Sequence, residues 1–261
     1  MDRRAWILIG LMALAGCGKK AKRANDFVNA GNAAYNAGDH EAAVREFDEA
    51  LKLDPNNADI LHARGLAHSE KKDYDRAIRD FDAALKIEPN LANAYNNRGL
   101  AKSLKGEFDP AIADYGECLR LDPRHAAAYV NRGLAYAQGK KDYAKALADF
   151  NEAIRFDPGR AMAWNNRGLA KFALNDPGEA LRDLDEAVKL DANLALAWNN
   201  RGMVRASLKD YGKAVADYDV ALRLNAGYAN AMHNRGLARQ AMGAKADADR
   251  DFAEARRLAG P

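Results

Sequence analysis

The 261-residue chain is poor in the residues that build covalent or catalytic sites. Its two cysteines, Cys17 and Cys118, are too few and too unlike in context for a disulfide framework. The five histidines, His40, His62, His68, His125 and His233, are scattered, and none has metal-ligand spacing. No phosphate-cradling loop and no nucleophile elbow occurs. These gaps argue against an enzyme, a metal site and a cofactor. Charge of one sign is also missing: 40 basic and 37 acidic residues leave a formal net charge of +3, which gives no drive toward nucleic acid. Long apolar runs are absent except at the start of the chain. The remaining composition, 48% hydrophobic and 30% charged, suits a folded, mostly helical protein rather than a disordered one.

The single apolar run, residues 5–16, follows a short basic start with Arg3 and Arg4. That is the layout of a secretory signal peptide, and the run is shorter than the roughly 20 residues that span a bilayer. Its last residues, Leu14-Ala15-Gly16-Cys17, resemble the lipobox of bacterial lipoproteins. The resemblance implies a signal peptide over residues 1–16, cleavage before Cys17, and acyl chains such as palmitate on the Cys17 thiol and its freed amine. It also implies a lipid anchor in the bacterial cell envelope. Two or three acyl chains anchor stably where one does not. Gly18, not Asp, follows the cysteine, which in the same resemblance favours the outer membrane, facing the periplasm. Residues 17–23 then form the lipidated Cys and a tether with Lys19, Lys20, Lys22 and Arg23, suited to anionic headgroups or to solvent. Fully stretched, the tether reaches about 20 Å.

The rest of the chain is periodic. Gly31, Gly65, Gly99, Gly133, Gly168, Gly202 and Gly236 recur at spacings of 34 residues, with one of 35. Setting each glycine as position 8 gives seven units: 24–57, 58–91, 92–125, 126–160, 161–194, 195–228 and 229–261. A fixed period of this size indicates a solenoid of repeated supersecondary units. Each unit reads as two helices, at positions 1–14 and about 17–30. Asp-Pro-type turns close the early units, because Pro cannot donate the next helical hydrogen bond. Position 4 is aromatic in Phe27, Tyr95, Tyr129, Trp164 and Trp198. Position 20 is always Ala, position 24 is Phe, Tyr or Leu, and position 27 is Ala except at Cys118, which fits there as a small buried hydrophobe. This pattern resembles the tetratricopeptide repeat. The resemblance covers residues 24–261 and implies an all-α fold, a right-handed superhelical solenoid of seven helix-turn-helix repeats.

Two polar positions recur with the frame. Position 7 is Arg in Arg64, Arg98, Arg132, Arg167, Arg201 and Arg235, toward the packed side, where a cation needs a partner. Position 23 is Asp in the same units: Asp80, Asp114, Asp149, Asp183, Asp217 and Asp251. Their joint presence predicts structural ion pairs within each hairpin, Arg98–Asp114, Arg132–Asp149, Arg167–Asp183 and Arg201–Asp217 among them. The competing reading is an arginine ladder for phosphate. Position 6 is Asn in Asn29, Asn97, Asn131, Asn166, Asn200 and Asn234, placed by the helical wheel away from the packed stripe. In such a superhelix the first helices line the concave groove, so these amides predict a ladder that grips an extended peptide, donating and accepting at once. This resembles the asparagine ladder in the repeat domain of O-GlcNAc transferases. The alternative is that the amides only satisfy neighbouring helix ends. Position 9 is apolar from the second unit on: Leu66, Leu100, Leu134, Leu169, Met203 and Leu237.

The last unit differs where the others are aliphatic: positions 21 and 28 become Asp249 and Arg256, as expected of a solvent-facing terminal repeat. The function this reading implies is a non-catalytic envelope lipoprotein. It would be an adaptor or assembly scaffold holding a protein or extended peptide segment in its groove, with no metal, cofactor or nucleic acid. The alternative is a self-associating spacer on the membrane surface.

Overall fold

The computed structural model describes residues 18–259, so the signal peptide and Cys17 lie outside the described residues. Fourteen α-helices, in pairs, make seven helix-turn-helix hairpins among the described residues. They are α1 (Gly18–Asn36) with α2 (His40–Leu53), α3 (Ala58–Glu70) with α4 (Tyr74–Ile87), and α5 (Ala92–Leu104) with α6 (Phe108–Leu121). Next come α7 (Ala126–Ala135) with α8 (Tyr143–Phe156), and α9 (Ala161–Ala173) with α10 (Pro177–Leu190). The series ends with α11 (Ala195–Ser207) and α12 (Tyr211–Leu224), then α13 (Ala229–Ala241) and α14 (Lys245–Ala259). The chain divides into two compact units between Ala128 and Tyr129.

Each hairpin turns on one residue with positive φ at position 15. Glycine takes it at Gly38, Gly106 and Gly243, and Lys72, Lys141, Asn175 and Lys209 adopt it at φ of 52 to 65°. The next residue caps the second helix. Asp39, Asp73, Asp142 and Asp176 each accept a hydrogen bond from the amide three residues on, which satisfies one of the open N–H groups of the first turn. The extra residue of the fourth repeat is absorbed by a π-helical turn over Tyr136–Lys140, ahead of Lys141.

Small residues set how closely the two helices approach. Ala43, Ala77, Ala146, Ala180 and Ala214 at position 20 are fully buried. At position 8 a side chain has no room: a Cβ on Gly65 would sit 2.7 Å from the Phe81 ring, and one on Gly202 would sit 2.7 Å from Tyr218. The rings of Phe47, Phe81, Tyr115, Phe150 and Tyr218 at position 24 fill the space that the glycines leave. Burying one such side chain contributes about 2–3 kcal/mol relative to leaving it in water. Cys118 is packed in the same way, and burial pushes its thiol up to about 12, which makes it unreactive.

One expectation changes at the N-terminal end. Residues 18–23 are not an extended tether; α1 begins at Gly18 and runs without a break into the first repeat. At about 1.5 Å per residue these six residues span about 9 Å, because helical hydrogen bonding continues through them. At the other end Asp249 and Arg256 are exposed.

Candidate functional site

The position 7 arginines are the most connected side chains of the first helices. Arg201 donates through Nε and Nη2 to both carboxylate oxygens of Asp217, at 3.0 and 2.6 Å. Its remaining nitrogen, Nη1, donates to Asp185 of the preceding repeat at 2.8 Å. Arg64 makes the same fork to Asp80 and reaches back to Asp48; Arg98 does so with Asp114 and Asp82, and Arg235 with Asp251 and Asp219. Arg167 forks onto Asp183 and reaches back to the neutral amide of Asn151. Arg132 holds Asp149 at 2.9 and 2.7 Å. The bond to Asp149 raises the pKa of Arg132. The guanidinium planes also stack on position 4 aromatics, with Arg201 4.5 Å from the Trp198 ring centre and Arg167 4.6 Å from that of Trp164. Arg64, Arg98, Arg167, Arg201 and Arg235 therefore join three helices each and Arg132 joins two, their donors taken by carboxylate or amide acceptors rather than facing a phosphate.

Position 11 completes the carboxylates. Lys102, Lys171, Arg205 and Arg239 bond Asp114, Asp183, Asp217 and Asp251 at 2.8 to 2.9 Å. In the second repeat this place is taken by His68, buried and 3.9 Å from Asp80, beyond hydrogen-bond reach. Burial, opposed by Asp80 and Asp73, holds the His68 pKa below the ordinary histidine value.

The asparagines are arranged differently from the expectation. The helical wheel sets position 6 apart from the packed side, yet Asn166 and Asn200 are 6% and 5% exposed. The cause is a partner at position 5 that the wheel does not reveal. Asn199 Nδ2 donates to Asn200 Oδ1 within the helix at 3.2 Å, and Asn200 Nδ2 donates across to Asn165 Oδ1 at 2.9 Å. Asn234 Nδ2 donates in turn to Asn199 Oδ1 at 3.1 Å, and Asn165 Nδ2 to Asn166 Oδ1 at 3.0 Å. The result is a continuous amide ladder through α13, α11 and α9. It stops at Asn166, whose buried Nδ2 has no hydrogen-bond partner. By the frame, its acceptor would come from position 5 of the fourth repeat, where Val130 stands. In the first compact unit Asn97 Nδ2 of the third repeat donates to His62 Nε2 of the second at 2.9 Å. An amide nitrogen only donates, so His62 accepts and is neutral there. Asn29 is exposed, and Asn97, Asn131 and Asn234 are half-buried.

In each unit the position 9 side chains of the first helices are partly open. Leu100 and Leu237 are 40% and 48% exposed, and Leu66, Leu134, Leu169 and Met203 are half-buried. Among the described residues no group of His, Cys, Asp or Glu could hold a metal ion, and no helix is long and apolar enough to cross a membrane.

Comparison with known proteins agrees with this geometry. Profiles described as TPR repeat match residues 31–72 and 69–106, and those described as tetratricopeptide repeat match 92–125, 126–160 and 165–229. The chain belongs to the tetratricopeptide repeat family. No curated protein matches it significantly. Among solved structures, a tetratricopeptide repeat protein from Parabacteroides merdae is 20% identical over 92% of this chain and 94% of its own, with a TM-score of 0.74. Pseudomonas aeruginosa pilF is 20% identical over 77% of this chain and 91% of its own, with a TM-score of 0.68. YrrB, described as a TPR protein with an unusual peptide-binding site, is 26% identical over 68% of this chain and 91% of its own, with a TM-score of 0.53. Likeness to the first two is a likeness of fold.

Proposed function

We propose that the protein is a non-catalytic interaction scaffold. It is lipid-anchored through Cys17 in the bacterial cell envelope, at the outer membrane, and holds a protein partner on the strip formed by its first helices. The observation that carries the reading is the division of labour on those helices. The Arg and Lys side chains at positions 7 and 11 are held by aspartates on one side, while apolar side chains and partly buried amides lie on the other. YrrB, a repeat protein of similar sequence, is described by its peptide-binding site. The contact residues are Asn29 and Asn97 with Leu66 and Leu100 in the first compact unit, and Asn131 and Asn234 with Leu134, Leu169, Met203 and Leu237 in the second, where Asn166 and Asn200 are buried.

The test places a photo-crosslinking amino acid at Leu237, on the strip, or at Arg223, exposed on a second helix, in cells making the full chain. A discrete protein adduct from position 237 and none from 223 is the expected outcome. Equal adducts from both positions would remove the strip as the binding surface. The anchor is tested separately by Cys17→Ser, which is expected to leave the unprocessed chain without acyl groups and to shift it out of the detergent-soluble envelope lipoprotein pool. Unchanged acylation would end the lipoprotein reading.

A further inference from the structure

The three first helices of the second unit that follow its π-helical turn, α9, α11 and α13, contain six charged residues between them: Arg167, Lys171, Arg201, Arg205, Arg235 and Arg239. All six are cations, and all six are bonded to Asp183, Asp217 or Asp251. Those three aspartates are 2 to 4% exposed. The opposite side of the same helices therefore has no charge, in a chain that is 30% charged. What it presents is Met162, Leu169, Leu196, Met203 and Leu237 beside the amide ladder, with Asn230 and the imidazole of His233 on α13 and with Ala173, Ser207 and Ala241 at its exposed edge.

An uncharged strip selects by exclusion. A carboxylate or ammonium laid against it loses hydration and finds no counter-ion, since every cation of these helices is already held by a buried aspartate. Such a loss costs several kcal/mol for a desolvated charge. A main chain meets no such penalty: its carbonyls and amides match Asn side chains, and apolar side chains match the Leu and Met positions.

Building on the scaffold reading above, we infer that the second unit is a filter for charge-poor sequence. Its occupant is an extended segment of a partner protein that has apolar and small polar side chains and no Asp, Glu, Lys or Arg along the stretch that crosses α9, α11 and α13. Recognition there depends on the absence of charge in the segment and is nearly independent of salt.

The experiment immobilises the full chain and selects from a random-sequence peptide display library, then measures enriched peptides by fluorescence anisotropy. Enriched peptides are expected to be depleted of charged residues. Their affinity should change less than about twofold between about 0.05 and 0.5 M salt, and replacing one central residue of the peptide by Asp should weaken binding at least about tenfold. Leu237→Lys, at a position 48% exposed and so tolerant of the change, should weaken the uncharged peptide and recover the Asp-substituted one. Enrichment of charged peptides, or a steep loss of affinity with salt, overturns the filter while leaving a peptide-binding surface in place. Failure to enrich any peptide overturns the filter together with the scaffold reading beneath it. Binding that ignores Leu237→Lys also overturns the filter, because the peptide then lies elsewhere.

Discussion

At the scale of single residues, the glycine at position 8 and the large side chain at position 24 form one steric unit. A Cβ on Gly202 meets three atoms of the Tyr218 ring at 2.7 to 3.0 Å, and that ring is 1% exposed and has nowhere to move. Gly202→Ala is expected to cost about 2–3 kcal/mol through overpacking, lowering the denaturant midpoint of the second unit. Gly168 faces the narrower Leu184, whose nearest atom lies at 3.0 Å. Gly168→Ala should cost clearly less, and equal losses in the two variants, read by chemical denaturation, would refute the steric account. This level was readable in the sequence, since an invariant glycine and a ring recurring sixteen residues later already suggest close approach. Part of the arginine chemistry was readable too, from Arg and Asp appearing together at positions 7 and 23. What the sequence hid was the third partner, Asp48, Asp82, Asp185 or Asp219. It lies one repeat upstream, and no helical periodicity links it to the arginine. The position 5 asparagines were hidden for the same reason: whether an amide faces solvent or a neighbouring amide depends on the step from one hairpin to the next.

At the scale of the hairpin, the left-handed residue at position 15 is a local cost that the fold tolerates. Lys209 holds φ of 62° with an exposed side chain and a normal second helix after it. An L-residue there costs roughly 1–2 kcal/mol in backbone strain, part of which returns as the larger chain entropy of glycine in the unfolded state. Lys209→Gly should therefore stabilise by about 0.5–1 kcal/mol, a rise in melting temperature measurable by calorimetry. Asn175→Gly should gain less, because Asn adopts this conformation more readily than Lys. Loss of stability in Lys209→Gly would mean that the lysine makes a contact worth more than the strain it bears. The turns themselves were legible as turns from their Gly, Lys and Asp content; their shared handedness was not, since four of the seven positions are not glycine.

At the scale of the whole molecule, the two units are expected to respond differently to acid. The first contains His62 and His68, both with pKa below the ordinary value, in each case chiefly because burial disfavours the charged ring. Asp59 opposes the shift at His62; Asp80 and Asp73 oppose it at His68, while Arg64 and Arg76 add to it. A base whose folded pKa is depressed takes up protons on unfolding. Its stabilising contribution is complete above about pH 6.5 and is lost as the pH falls from there through the folded values. Protonated His62 also loses the lone pair that accepts from Asn97. Amide exchange in α3 to α5 should therefore accelerate relative to α11 to α13 between about pH 6.5 and 5, after correction for intrinsic rates. His62→Asn with His68→Lys, which install the amide and the cation found in other repeats, should flatten the difference. Exchange that falls equally in both units would show that the two histidines do not govern the response.

The arginine that reaches backward and the asparagine that reaches backward both do more than hold one hairpin. Each ties the free energy of one repeat to the state of the one before it, as a coupling constant does in a one-dimensional chain of spins. Between repeats five and six, and between six and seven, both couplings are present: Arg201 to Asp185 with Asn200 to Asn165, and Arg235 to Asp219 with Asn234 to Asn199. Between repeats four and five the arginine meets only the neutral Asn151, and the asparagine rung at Asn166 is missing. A boundary between ordered and disordered repeats costs least at that step, so partial unfolding of the second unit should pause there. Repeats five to seven would melt as a block, with the wall standing at the end of α8.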